Sequence, residues 1–338
     1  LDDITQAVLA HEDVARYLRG GHGTSGPEAR ERIQGYLDEL RTTQRYRIYR
    51  ALKHPLYPIL RKIERIHEHV EIAQKATSEG RVIYISNHKS HLDYLVEPLV
   101  LDDNGIRPPV IAAGINLFGG PLGLIHRHVT GAIPIRRNTK DPAYLVTLKA
   151  YVAEILGRHD LLFYIEGGRS YSGELKAPKT GLLHAALTAD RSASMIVPMA
   201  VSYDLVLEDR ILAHQGIKRG SRPFGREVAE MVRYAVGYQS RAFVTFGEPI
   251  ALKDHDPDSR RDVMALAHLT RDTIGRLYKV LPTAIVAAAM RPGITRRELE
   301  ARAQTVIDTV AAAGGNLSVT SGREAVERAA EPLETRNV

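Results

Sequence analysis

Apolar and polar positions along the chain fall into three patterns. Over residues 1–78 apolar residues recur with a helical period, broken by the turn-rich run Gly20-Gly-His-Gly-Thr-Ser-Gly26. Between 79 and 256 short continuous apolar runs alternate with stretches of helical period. The runs at 81–86, 109–113, 131–136, 160–165, 195–203 and 242–247 predict strands. Residues 90–101, 142–157, 180–190 and 222–236 predict the helices between them. Strands without polar alternation belong inside a sheet covered on both faces, which is the parallel arrangement. From 257 the helical period returns over 258–280, 282–290, 295–313 and 321–334, punctuated by Pro292-Gly293 and Gly314-Gly315. The pattern predicts an α/β fold, a mostly parallel mixed sheet flanked by helices. It also predicts an N-terminal helical region (1–78), a central α/β domain (79–256) and a C-terminal helical region (257–338) packed on that domain.

Composition narrows the chemistry. With 44% hydrophobic and 25% charged residues over 338 positions, the chain can bury a sizeable core and is not disordered. It has no cysteine, so disulfides, thiolate-bound zinc and a cysteine nucleophile are excluded. The net charge of +6 favours anionic partners: phosphorylated metabolites, acidic carrier proteins, anionic lipid or nucleic acid. No apolar run approaches the roughly 18 residues of a membrane-spanning helix. Leu1 is not a start methionine, and no signal-peptide pattern follows it. The expectation is a protein on the cytoplasmic side, in peripheral contact with membrane at most, and a piece or shortened form of a longer chain.

Several motifs are absent. The chain has no phosphate-binding P-loop, no dinucleotide fingerprint, no H-E-x-x-H and no G-x-S-x-G elbow. His67-Glu68-His69 is not expected to bind metal, because adjacent residues on a helix point apart. No cofactor and no metal are expected, and no nucleic-acid module is present.

Three segments carry candidate chemistry. Asn87-His88-Lys89-Ser90-His91-Leu92-Asp93 follows a strand and opens a helix. With His88 in the turn and Asp93 in the first helical turn, the carboxylate can hold the imidazole in one tautomer. His88 then serves as general base for an alcohol. The helix N-terminus alongside offers N–H groups to an anion or oxyanion. The plainer alternative has Asn87 as N-cap and Asp93 in solvent. Second, Arg136 and Arg137 end a strand where α/β folds bind ligands, and alternation lets only one face the site. Third, a buried strand ends in Glu166-Gly167-Gly168-Arg169-Ser170, followed by Lys176 and Pro178-Lys179-Thr180-Gly181. The glycines permit close backbone approach, Arg169 can fork onto phosphate, and Glu166 can pin that arginine or accept a substrate hydroxyl.

In this order the segments resemble the glycerol-3-phosphate acyltransferase family, which includes dihydroxyacetone-phosphate acyltransferases. Residues 87–93 match its H-x4-D block, and 114–137 its second block. Glu166–Ser170 matches the third, and the Pro198-containing strand 196–203 the fourth. Ile165-Glu-Gly-Gly-Arg resembles the glycerol-3-phosphate branch rather than the lysophosphatidate branch, which reads Pro-Glu-Gly-Thr-Arg there. The resemblance implies His88 and Asp93 as the catalytic pair. It implies Arg136, Arg137, Glu166, Gly167, Gly168, Arg169, Ser170 and Pro198 as substrate-binding residues. It further implies acyl transfer from acyl-CoA or acyl-carrier protein to the sn-1 hydroxyl of glycerol 3-phosphate, giving lysophosphatidate. Dihydroxyacetone phosphate or a lysophospholipid as acceptor, or a non-catalytic lipid-binding scaffold, are the alternatives. An amphiphilic product calls for a membrane nearby. Residues 41–65 interleave Arg41, Arg45, Arg47, Arg50, Lys53, Arg61, Lys62 and Arg65 with aromatic and aliphatic residues. They read either as a basic amphipathic surface for anionic lipid or as a packed helix with a solvated basic face.

Overall fold

The computed structural model describes residues 3–20, 26–56, 63–118, 120–209, 212 and 238–336. Its centre is an eight-stranded sheet built from β1 (Ile63–Glu68), β2 (Arg81–Ser86), β3 (Val110–Gly114), β4 (Ala132–Ile135), β5 (Leu161–Tyr164), β6 (Ser194–Tyr203), β7 (Ser240–Phe246) and β8 (Ile250–Ala251). The strand order is β1-β7-β6-β2-β5-β3-β4, with β8 paired to β6. All neighbours are parallel except β6 with β7 and β6 with β8. Each of the six strands expected from the sequence is present.

Helices cover both faces. On one face lie α1 (Asp3–Ala10), α2 (Glu12–Arg19) and α3 (Gly26–Leu40), with α8 (Pro142–Leu156), α9 (Gly181–Leu187) and α10 (Arg260–Leu277). Val8, Val14, Ile33 and Leu37 of the N-terminal helices share one core with Ile83, Phe163 and Ile196 of the sheet. On the other face lie α4 (Tyr46–Leu56), α5 (Val70–Glu79), α6 (Asp93–Asp103) and α7 (Gly120–His128), around Tyr84, Leu99 and Val197. Helix α6 is buried at nearly every position, so it carries no amphipathic signature. Helix α8 starts where Asp141 caps Ala143 and Pro142 fills the first turn.

The C-terminal helices α11 (Pro282–Ala289), α12 (Arg296–Ala312) and α13 (Gly322–Glu334) enclose a small core of their own around Ile285, Ala303 and Ala325. A capping box, Thr295 with Glu298, opens α12. Two short strands, β9 (Lys279–Val280) and β10 (Asn316–Leu317), tie this region down. Lys279 and Asn316 both reach Glu68 at the end of β1, at 2.6 and 2.9 Å.

The helical reading of 1–78 needs one correction. Residues 63–68 form β1, parallel to β7. It is an edge strand, charged at Glu64, Arg65 and Glu68 and only partly buried. Charge on an edge blunts the apolar run that marks an interior strand. The helix expected at 222–236 lies outside the described residues. Among the described residues, no helix is long and apolar enough to cross a membrane.

Candidate active site

The parallel strands β2, β5, β3 and β4 open their C-terminal ends onto one edge of the sheet, where α/β folds place ligands. A cleft of about 460 Å³ lies there, lined by the polar groups of His88, Arg137, Glu166, Gly168 and Lys179 and by the apolar side chains of Ala112, Leu148 and Phe163.

His88 sits in the turn after β2, and Asp93 is the first residue of α6. His88 Nδ1 lies 2.9 Å from Asp93 Oδ2. Asp93 has no solvent exposure and His88 only 7%. Asp93 Oδ2 also accepts the backbone N–H groups of Lys89 (2.7 Å) and Ser90 (2.9 Å). Its Oδ1 accepts the Tyr203 hydroxyl at 2.7 Å. Four donors thus converge on one carboxylate, which leaves Nε2 of His88 as the ring nitrogen for chemistry. The plainer reading does not hold, because Asp93 is not in solvent and Asn87 is not a helix cap. The Asn87 amide instead bonds both the N–H and the carbonyl of Val201, at 2.8 and 3.0 Å, closing the end of β2 onto β6.

The expected oxyanion donors at the start of α6 are already engaged. Lys89 and Ser90 give their N–H groups to Asp93, His91 to Glu208 (2.6 Å) and Leu92 to the Ser90 hydroxyl (3.0 Å). The acidic groups packed against this turn take the donors that the helix dipole would otherwise present.

Glu166 organises the third segment without pinning Arg169. One oxygen accepts the His88 backbone N–H at 2.9 Å and the other the Lys176 N–H at 3.1 Å. Ser170 is buried and structural: its N–H bonds the His88 carbonyl (3.0 Å) and its hydroxyl bonds the Glu174 carbonyl (2.6 Å). The Arg169 guanidinium stands beside buried Glu208, with Nη1 at 3.7 Å from its carboxylate. Burial pushes the Glu208 carboxyl above its ordinary range, against the pull of the His91 N–H, Ser90 and Arg169. Gly167, at φ +65°, makes the turn that lets Lys179 cross it; an added Cβ would stand 3.0 Å from Lys179 Cγ.

The two arginines of the second segment divide as alternation requires. Arg137 stands over Gly168, its Nη1 at 3.4 Å from where a Cβ would sit, and lines the cleft. Arg136 touches the cleft wall, but its guanidinium forks onto Glu39 of α3, with Nε at 2.6 Å. It also lies over the rings of Tyr36 and Tyr144. Pro198 is not brought to the cleft. It is buried in mid-strand, in register with Ile85, where β6 ends its pairing with β2 and begins its pairing with β7. A residue without an N–H fits that handover.

Sequence reasoning missed several groups of the site. Tyr164 stacks on His88, with ring centroids 4.2 Å apart and planes at 11°. Tyr203 and Glu208 come from β6 and the loop beyond it, and long-range contacts of this kind leave no local pattern. Lys176 and Lys179 were visible as cations after the glycines. Lys176 Nζ staples the loop through the carbonyls of Gly168 and Arg169, and Lys179 lines the cleft. Among the described residues, no cluster of His, Asp and Glu is placed to hold a metal ion. His67 and Glu68 lie on β1 and His69 precedes α5.

In the basic segment 41–65, Tyr49 is buried and the Tyr46 hydroxyl bonds Asp102 at 2.6 Å. Arg45, Arg47, Ile48 and Arg50 are exposed. Among the described residues of this stretch, Tyr46 and Tyr49 are therefore packed on the domain, and Arg45, Arg47 and Arg50 are solvated. Residues 57–62, with Arg61 and Lys62, lie outside the described residues, as does the Lys53 side chain.

Residues 66–202 match the family model described as Acyltransferase. The chain is 32% identical over 320 residues to the glycerol-3-phosphate acyltransferase of Aeromonas hydrophila, covering 85% of this chain and 39% of that protein. It is 34% identical over 261 residues to the enzyme of the same name from Actinobacillus succinogenes, covering 74% and 31%. It is 37% identical over 198 residues to that of Haemophilus influenzae, covering 55% and 24%. The chain thus spans about a quarter to two-fifths of the length of these curated relatives. A solved structure, the 1-acyl-sn-glycerophosphate acyltransferase of Thermotoga maritima, overlays 81% of this chain at 14% identity and a TM-score of 0.39.

Proposed function

We propose that the chain, whose residues 66–202 match the Acyltransferase family model, is a glycerol-3-phosphate 1-O-acyltransferase, working through direct transfer on the His88–Asp93 pair. The observation that carries the mechanism is the 2.9 Å contact between His88 Nδ1 and Asp93, in a cleft lined by both polar and apolar side chains.

In this reading Asp93 holds the Nδ1 proton and leaves Nε2 to accept the proton of the sn-1 hydroxyl. The alkoxide oxygen attacks the thioester carbon of acyl-CoA or acyl-carrier protein. The C–S bond breaks as the tetrahedral intermediate collapses, and the departing sulfur takes the proton from His88. The products are lysophosphatidate and a free thiol. Arg137 and Lys179, with the Gly167-Gly168 turn between them, are the groups positioned for the acceptor's phosphate. The apolar side chains of Ala112, Leu148 and Phe163 suit the acyl chain. The names of the curated relatives support glycerol 3-phosphate as the acceptor. The exposed arginines 45, 47 and 50 support peripheral contact with an anionic membrane on the cytoplasmic side.

The test is thiol release from acyl-CoA, with glycerol 3-phosphate, dihydroxyacetone phosphate and lysophosphatidate offered in parallel. Release that depends on glycerol 3-phosphate is expected. Equal release without any acceptor, or release only with lysophosphatidate, contradicts the assignment.

A further inference from the structure

Beneath the His88–Asp93 pair lies a carboxylic acid that the reaction above does not use, Glu97. It follows Asp93 by four residues on α6, so the two share one face of the helix. No part of Glu97 reaches solvent. Its Oε1 accepts the hydroxyl of Ser86, the last residue of β2 and two residues before His88. Its Oε2 is buried without a hydrogen-bond partner, and so is the hydroxyl of Tyr164. That hydroxyl stands against the Glu97 carboxyl. The ring that carries it is the one stacked on His88, at 4.2 Å.

Two carboxylates one helical turn apart in a sealed interior do not both stay charged. Asp93 collects four donors, from Lys89, Ser90, His88 and Tyr203. Glu97 has the Ser86 hydroxyl. Glu97 is therefore the group that takes the proton, and burial, with Asp93 nearby, pushes its carboxyl well above the usual carboxylate range. The Tyr164 O–H beside it is a buried donor without a partner, and Glu97 Oε2 is a buried acceptor without one.

We propose that Glu97 is a positioning residue: its Oε2 accepts the Tyr164 O–H and fixes the ring on which the His88 imidazole rests. Asp93 sets the edge of the imidazole through Nδ1, and Glu97, through Tyr164, sets its plane. Among the described residues, Tyr203 also packs against the two carboxylates and is committed to Asp93 at 2.7 Å, while Lys89 and Tyr278 face Asp93. The inference rests on His88 being the base.

The experiment is steady-state kinetics across pH for the wild type, Glu97→Gln, Glu97→Leu, Tyr164→Phe and the Glu97→Leu/Tyr164→Phe double variant, with His88→Ala alongside. Glutamine keeps an amide oxygen to accept the Tyr164 hydroxyl and an NH2 to donate to the Ser86 oxygen. It is expected to retain kcat within about threefold and to leave the pH profile unmoved. Leucine and phenylalanine should each lower kcat roughly tenfold, the size of one lost buried hydrogen bond, with the acceptor KM unchanged. The double variant should lose no more than the worse single, because both act through one contact. A rising limb displaced to lower pH in Glu97→Gln would mean that a negative charge had been removed beside His88, and would overturn the proposal. Additive losses in the double variant would overturn it too. If the leucine variant does not fold, Tyr164→Phe decides, since full kcat there contradicts the proposal. Activity surviving in His88→Ala instead removes the base assignment, whichever way the Glu97 variants behave.

Discussion

One carboxylate oxygen of Glu166 accepts the backbone N–H of His88 at 2.9 Å. The second oxygen holds the N–H of Lys176 at 3.1 Å, and the Ser170 N–H returns to the His88 carbonyl at 3.0 Å. The turn that carries the base and the loop that carries the cations are thus fastened at both faces of one peptide. Replacing Glu166 with Gln turns one acceptor into a donor facing an N–H. The expected cost is roughly 1.5–3 kcal/mol, one charge-assisted bond. It should appear as a ten- to hundredfold fall in kcat/KM, measured by steady-state thiol release, with a native circular dichroism spectrum.

Asp93→Asn meets the same difficulty whichever way the amide turns. The amide cannot accept from Lys89, Ser90, Tyr203 and His88 together. A wrong imidazole tautomer alone costs on the order of a thousandfold or more in kcat in comparable pairs. We expect a fall of at least that order with the acceptor KM little changed. A variant within tenfold of wild type would show that the tautomer does not limit the reaction.

The arginines should separate. Arg137→Ala removes a cation from the cleft and should raise the KM for glycerol 3-phosphate about ten- to over a hundredfold. Arg136→Ala breaks the exposed pair with Glu39, whose worth is about 0.2–1 kcal/mol, and should lower the thermal midpoint slightly while leaving that KM unchanged. Titrating acceptor and acyl-CoA separately in both variants checks the division. The opposite pattern would move Arg136 back into the site.

Burial depresses His126 to about 4, next to the Tyr94 hydroxyl at 3.2 Å. Its folded-state value lies below the unfolded one, so its contribution to stability is complete above the unfolded value of about 6.5. That contribution fades as pH falls from there toward 4. At pH 5 the loss is about 2 kcal/mol. Thermal unfolding at pH 7 and pH 5 should show this loss in the wild type and much less of it in His126→Gln. Equal losses in both proteins would assign the acid sensitivity elsewhere.

The interior strands were legible in the sequence because burial on both faces makes them continuous apolar runs. Arg81–Ser86, buried at five of six positions, is the clearest. β1 was not, because an edge strand carries Glu64 and Arg65 where an interior strand carries aliphatics. His88 and Asp93 were legible because their pairing is local, five residues apart across a strand–helix turn. The destinations of Arg169 and Arg136 were not. Each is decided by a carboxylate far along the chain, Glu208 and Glu39, that no local pattern announces. The same holds for the N–H groups at the start of α6, which looked available for an oxyanion until Glu208 and Asp93 were seen to occupy them.

The most direct test of the central claim is the rate of thiol release from acyl-CoA by purified wild-type and His88→Ala protein, with and without glycerol 3-phosphate. His88 as general base predicts acceptor-dependent release in the wild type and a loss of at least about a hundredfold in a folded His88→Ala protein. Near-wild-type release from His88→Ala would contradict it.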